Sequence, residues 1–132
     1  MIASGSLVVP NKGFSPGESS IANYLQGLGR NVRSNPREGV QGAGRQGDAL
    51  VDGLLTEFKT LQSGASSNTI RNVVNNSIRR GGQARQIVID ARGSGLSSAN
   101  ARVGINRAFG ISRNRVDYIS VIGDDFFIGR GL

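Results

Sequence analysis

Apolar residues recur with helical spacing at Ile21, Tyr24, Leu25 and Leu28, an i, i+3, i+4, i+7 set that makes one buried face. Just before it, Ser15-Pro16-Gly17-Glu18 has the form of a capping box: a Ser N-cap, Pro at the first helical position, and Glu at the third reaching back to the cap amide. Gly29 suits the left-handed residue that ends a helix, so the pattern predicts a helix from Ser15 to about Leu28. Residues 1–14 lack such periodicity and carry Gly5, Pro10 and Gly13, which reads as an extended lead-in or linker ahead of one domain over 15–132.

The period then shortens. Asn31 to Ser34 reads as a short strand, and Asn35-Pro36 opens a loop whose stretch Gly39 to Gly47 holds four glycines, with Arg33, Arg37 and Arg45 on or beside it. From Asp48 to Leu61, two β-compatible runs flank Asp52-Gly53, the dipeptide favoured in the type I′ turn of a two-residue hairpin. That turn fixes a register in which Val51 faces Leu54, Leu50 faces Leu55, Ala49 faces Thr56 and Asp48 faces Glu57. Lys59 then projects from the same face as Glu57, about 7 Å along the strand.

Helical spacing returns at Ile70, Val73, Val74 and Ser77/Ile78, with Asn68 as cap and Gly81-Gly82 as stop. The outer stripe of that helix carries Arg71, Asn72, Asn75, Asn76, Arg79 and Arg80. Gln86-Ile87-Val88-Ile89-Asp90 is a continuous apolar run of the kind covered on both faces, and its place after strand and helix argues for a parallel, right-handed crossover. A third helix is expected from a Ser97 or Ser98 cap to about Phe109 with Gly110 as stop. Strands follow at Val116 to Ile122 and Phe126 to Ile128, joined by a turn at Gly123-Asp124. The fold class is α/β, a mixed β-sheet flanked by helices.

Composition narrows the chemistry. The 132 residues contain no Cys and no His, which removes disulfides, zinc ribbons, thiol nucleophiles, Ser-His-Asp triads and histidine bases. No apolar run approaches the ~20 residues of a membrane span. The formal charge is +7, and of the 16 basic residues only Lys12 and Lys59 are lysines. The balance favours polyanionic partners, and Arg offers phosphates a planar bidentate fork.

Catalysis therefore falls to carboxylates, amines, amides or hydroxyls, and the hairpin places two carboxylates together. Directly opposed Asp48 and Glu57 repel unless something sits between them. A divalent cation, Mg2+ ahead of Mn2+ or Zn2+, fits two carboxylates completed by water and substrate phosphate. Lys59 can orient water there or offset charge on a phosphorane-like transition state. Glu18 reaches the site from the first helix, although its capping role explains it as well. An exposed hairpin face with Glu57 and Lys59 as a solvated pair is the bland alternative.

Asp48 followed nine positions later by Glu57-Phe58-Lys59, on a hairpin between an N-terminal helix and a crossover helix, resembles the PD-(D/E)XK nuclease superfamily. Gly47 stands where that motif often has Pro. Gly47-Asp48-Ala49-Leu50-Val51-Asp52-Gly53, Thr56-Glu57-Phe58-Lys59-Thr60-Leu61, Gly82-Gln83-Ala84-Arg85, and Ile87 to Asp90 with Arg92-Gly93 are similar to the C-terminal toxin domains of contact-dependent growth inhibition proteins, over about residues 15 to 128.

The resemblance implies a metal-dependent RNase acting on transfer RNA in the cytoplasm of a competing bacterium. It also implies delivery from the producer's surface by a long secreted carrier that continues N-terminally, and neutralisation by a cognate immunity protein. It puts metal binding on Asp48 and Glu57, water activation on Lys59 and support on Glu18, with Thr60, Gln83 and Asp90 beside the site. Arg71, Arg79, Arg80, Arg85 and Arg92, with Arg102 and Arg107, are candidates to track an RNA backbone, against the view that they are solvated helix surface. Tyr24, Tyr118 and the five Phe fall in apolar patterns expected for core, which disfavours a broad base-stacking platform. A DNA endonuclease of the same core, a non-catalytic basic RNA-binding module and a metal-independent RNase remain the other readings.

Overall fold

The computed structural model describes residues 14–35, 48–79, 84–112 and 115–131, and the backbone of 7–8. Its elements run β1 (Leu7–Val8), α1 (Pro16–Gly27), β2 (Val32–Ser34), β3 (Ala49–Val51), β4 (Leu54–Thr60), α2 (Ser67–Arg79), β5 (Gln86–Asp90), α3 (Ser98–Ser112), β6 (Tyr118–Ile122) and β7 (Phe127–Gly131). The seven strands form one sheet in sequence order. β4, β5 and β6 are parallel, whereas β2, β3 and β4 meander antiparallel and β7 returns antiparallel to β6. The fold is the mixed α/β architecture expected.

Because β4, β5 and β6 advance in one direction, both crossover helices lie on one face of the sheet, as crossovers of one hand require. There α2 and α3 cover Ile87, Ile89, Ile119 and Val121, all buried in one cluster with Ile70, Val74, Ala101, Ile105 and Ala108. On the other face α1 lays Ile21, Ala22 and Leu25 on Val32, Ala49, Val51, Phe58, Val88 and Ile122. β5 is buried at all five positions, as its unbroken apolar run requires of a strand covered on both sides. Among the described residues no helix is long and apolar enough to cross a membrane.

The capping box forms in full: Glu18 N–H donates to Ser15 Oγ at 3.2 Å, and Ser15 N–H to Glu18 Oε1 at 2.9 Å. Gly29 follows the helix with φ of 88°, the left-handed value its position called for. Leu28, expected on the buried stripe, is 49% exposed, because the helix has already ended and its residue no longer points at the sheet. α2 begins two residues earlier than an Asn68 cap would set it, at Ser67: Thr69 N–H donates to Ser66 C=O at 3.0 Å, and Ser66 N–H to Thr69 Oγ1 at 2.9 Å.

In α3 Ser97 is the cap, with Asn100 N–H on its Oγ at 3.1 Å. Gly110 does not stop the helix, which continues to Ser112, a residue buried at 1% exposure and held by its Oγ to Phe109 C=O. A buried residue two positions on outweighs the local cost of one Gly, about 1 kcal/mol. β6 starts at Tyr118 rather than Val116, and β7 runs Phe127–Gly131, later and longer than expected. Leu7–Val8, inside the expected lead-in, pair in parallel with Val32 and Arg33. The loop glycines 39–47, Arg37, Arg45, Arg80, Gly81-Gly82 and Gln83 lie outside the described residues.

The buried stripe of α3, Ala101, Gly104, Ile105, Ala108 and Ser112, is small enough to let α2 approach closely. A Cβ on Gly104 would stand 2.8 Å from the Ser67 carbonyl oxygen and 2.9 Å from Ile70 Cβ. Gly104→Ala is therefore expected to destabilise the domain by about 1–3 kcal/mol through overpacking. Gly27→Ala, which meets nothing within 4 Å, should not. Thermal unfolding followed by circular dichroism checks the pair, and equal midpoints would refute the close-packing account.

Candidate active site

The hairpin sets the site. Asp52 and Gly53 take φ of 49° and 84°, the left-handed pair of a type I′ turn. The Asp52 carboxylate accepts from Asn31 N–H at 2.9 Å and from the Arg30 guanidinium, tying the turn to the end of α1. Those two donors, the backbone amide first, hold the Asp52 carboxyl below the usual carboxylate range. The ladder is Val51 to Leu54, Leu50 to Leu55 and Ala49 to Thr56, as the turn dictates.

One step further the expected geometry changes. Asp48 does not sit squarely opposite Glu57: its N–H bonds to Thr56 C=O at 2.9 Å, so Asp48 and Ala49 both lie against Thr56. This bulge-like end relieves the like-charge opposition that a regular ladder would impose. It turns the Asp48 carboxylate along β4, where Oδ2 accepts from Phe58 N–H at 2.9 Å. Phe58 packs under α1, so by strand alternation Glu57 and Lys59 point to the opposite face. Glu57 is only 4% exposed, and its Oε2 stands 3.9 Å from Lys59 Nζ.

The Asp48 carboxyl is strongly perturbed. Burial is the largest cause, and the carboxyls of Glu18 and Glu57 add to it, against the Phe58 amide that favours the anion; the net effect pushes Asp48 up to about 7. Glu18 is close enough to Asp48 for its carboxyl to act on it directly. The capping box thus does two jobs: it starts α1 and delivers Glu18 to Asp48. Asp48, at the bulge, interacts with Glu18 from the N-terminus of α1 and with Glu57 of β4, and Lys59 pairs with Glu57 on the face away from α1.

The remaining candidates spread more widely. Thr60 is on the α1 face at the end of β4, with Oγ1 beside Gly17, and pairs across the ladder with Asp90. Asp90 is buried and grips Arg92, Oδ1 to Nε and Oδ2 to Nη2, both at 2.9 Å. Arg92 also donates to Ser20 Oγ at 3.0 Å and lies 5.1 Å over the Tyr24 ring, so it bolts α1 to the end of β5. Arg85 is engaged likewise, by Asp117 at 2.6 Å and by the Arg115 carbonyl. These carboxylate hydrogen bonds raise both arginines further above their ordinary range.

Arg71 and Arg79 are exposed on α2, and Arg107 reaches back to Ser67 Oγ and Asn68 Oδ1 at 3.2 and 2.8 Å. Sequence reasoning missed the Arg85–Asp117 and Arg92–Asp90 pairs; only the Asp90-x-Arg92 spacing carried a signal, for the second of them.

Hard oxygen donors of this kind suit a magnesium-like ion, which takes one or two carboxylates and keeps several waters. Among the described residues no group of three or more Asp or Glu side chains is arranged to hold a metal, so an ion here would rest on at most the two carboxylates of Asp48 and Glu57.

No curated protein sequence matches the chain. A chain of the CdiA-CT/CdiI toxin and immunity complex from Burkholderia pseudomallei has a similar fold, with a TM-score of 0.66 at 18% identity, covering 97% of this chain and 100% of that one. The family model for the contact-dependent growth inhibition CdiA C-terminal domain matches residues 45–128, from just before Asp48 to the first half of β7. The chain belongs to the contact-dependent growth inhibition CdiA C-terminal domain family.

Proposed function

We propose that this toxin domain is a metal-dependent RNA endonuclease that cleaves transfer RNA in the cytoplasm of a competing bacterium. It would be delivered by a carrier that continues N-terminally and be restrained by a cognate immunity protein. The observation that carries the reading is the Asp48 carboxyl, held near 7 by burial and by the carboxyls of Glu18 and Glu57, with Lys59 Nζ 3.9 Å from Glu57. Structural carboxylates on a hairpin are rarely crowded this way, whereas perturbed groups in one cluster are a mark of chemistry.

In this reading Asp48 and Glu57 hold the ion from two adjacent strands, and the Phe58 amide fixes which Asp48 oxygen is presented. A bound divalent cation supplies charge neutralisation at the scissile phosphate and an acidified water. Lys59, a third exposed while its partner Glu57 is buried, places its ammonium to offset charge growing on the phosphoryl oxygens as water attacks phosphorus. Burial, and after it the carboxyls of Glu18 and Glu57, keep Asp48 from ionising freely, and a bound cation would favour its anion. Arg71 and Arg79 of α2 are exposed and make no ion pair among the described residues, which suits an RNA-tracking role better than Arg85 and Arg92, which already hold carboxylates.

Incubating the purified chain with transfer RNA and with plasmid DNA, each with Mg2+ or with EDTA, tests the reading. Transfer RNA should be cut at discrete sites with Mg2+, and chelation should lower the rate by at least about 100-fold. Cleavage untouched by EDTA would sink the metal mechanism, and cleavage of plasmid alone would make the substrate DNA.

A further inference from the structure

The face of the sheet that carries α1 is not fully covered by it. Beyond α1, at the N-terminal ends of the parallel strands and along β7, lies a cleft of about 390 Å³. That volume is in the range of small-ligand sites, roughly 300–1000 Å³. Its walls are aromatic. Tyr118 and Phe127, whose sequence pattern suggested core, are 45% and 37% exposed, and Phe127 is braced at 5.7 Å against Tyr24 of α1. Both rings stay partly outside because they sit at strand ends, Tyr118 beyond the reach of α1 and Phe127 against its edge at Tyr24.

Its floor is polar and underused. Ser120 is 7% exposed and its Oγ has no hydrogen-bond partner among the described residues. Gln86, 5% exposed, has among them a single long contact, Thr56 Oγ1 to its Oε1 at 3.5 Å, which leaves its amide NH2 without a protein acceptor. A buried hydroxyl left this way costs about 1–3 kcal/mol unless something completes it. β7 keeps the floor open: it presents glycine at both alternate positions facing the cleft. A Cβ on Gly129 would come within 3.2 Å of Ser120 Cβ, and one on Gly131 would collide with the Tyr118 ring. Glycine at such strand positions marks close approach by a ligand or a ring.

We propose that this cleft binds one unpaired base of the RNA substrate, its ring against Tyr118 and Phe127 and its edge on the Gln86 amide and the Ser120 hydroxyl. Stacking on aromatic rings with edge hydrogen bonds is how proteins read splayed-out bases. Gln supplies a donor and an acceptor side by side, and Ser either, so the floor can discriminate among bases rather than only grip them. The cleft starts at Leu54, three residues and about 10 Å along β4 from Glu57, and on the opposite face. The base held is therefore at a distance from the scissile phosphate, and the cleft chooses which loop is cut. This rests on the RNA-cleaving reading of the site.

The test uses the full chain carrying Asp48→Asn, nitrogen-15 labelled and free of divalent cation. AMP, CMP, GMP and UMP are titrated in turn, with ribose 5-phosphate as control. At least one nucleotide should shift the Gln86 side-chain amide and the Ser120, Gly129 and Gly131 backbone amides saturably, while ribose 5-phosphate should not. Tyr118→Ala should weaken that binding by at least about 5-fold, the low end of a lost base-aromatic stack. In the otherwise native chain it should raise KM for transfer RNA more than it lowers kcat. Nucleotide shifts in a chain that never cuts RNA would support the cleft while removing the nuclease reading. Cleavage with no nucleotide shifts, and with Tyr118→Ala cutting as the native chain does, overturns the cleft alone. Shifts at these residues on adding the immunity protein but with no nucleotide overturn it too, and make the surface a protein contact.

Discussion

Lys59→Ala is expected to cut transfer RNA about 10²–10³-fold more slowly than the native chain, with little change in KM, because it removes a charge felt chiefly in the transition state. The fold gives no reason for a large structural loss. Lys59 is a third exposed, at the C-terminal part of β4, and among the described residues its single ion pair is a long 3.9 Å contact with Glu57. Glu57, by contrast, is buried, so Glu57→Gln is the safer partner variant than Glu57→Ala. Lys59→Arg separates charge from geometry: a planar guanidinium keeps the charge but not the compact ammonium, and should recover only part of the rate. Single-turnover cleavage of a labelled transfer RNA measures all three. Native rates in Lys59→Ala, with folding intact, would leave the basic binding-module reading in place.

Whether the site could be read from sequence depended on how local its determinants are. Asp52-Gly53 fixes a turn by backbone sterics alone, and the register it sets held from Val51-Leu54 to Ala49-Thr56. The next pair failed because its energetics are not local: Asp48 is displaced by its repulsion from Glu57, by the amide of Phe58 and by a carboxyl arriving on α1. Gly110 failed as a stop for the same kind of reason, since the burial of Ser112 is decided by packing against other elements. Arg85 looks like a free cation until the pairing of β5 and β6 brings Asp117 to it, whereas Asp90 lies two residues from Arg92 and only the chain's turn after β5 closes that pair. The aromatic positions erred in the other direction, because periodicity says which face a ring is on and not whether a helix covers it.

Asp48→Asn should abolish cleavage, by at least about 10³-fold, and yet make the metal-free protein more stable at pH 8. The sign follows from the carboxyl being raised from 3.8 to about 7 in the folded chain. A folded state that binds the proton more tightly than the unfolded one is favoured at low pH. That advantage is complete below about 3.8, falls as pH rises, and is gone above about 7.

At pH 8 the native chain therefore carries an ionised, half-buried Asp48 among acidic neighbours, and Asn removes that charge while still accepting from the Phe58 amide. Discounted for solvent screening, the gain is on the order of 1–2 kcal/mol, or about 3–8 °C in Tm. At pH 4 the two proteins should melt together, since the native carboxyl is then neutral. Adding Mg2+ at pH 8 should raise Tm of the native chain and not of the variant, because the ion replaces the missing proton.

The same competition predicts that cleavage rises with pH through about 7 and that its midpoint moves lower as Mg2+ increases. Melting curves at both pH values, with and without Mg2+, separate this from a purely structural carboxylate: an Asn variant no more stable than the native chain at pH 8 would mean that Asp48 is not held protonated by its surroundings. A functional group that costs stability until its ligand arrives is the pattern expected of a site shaped for binding rather than for folding.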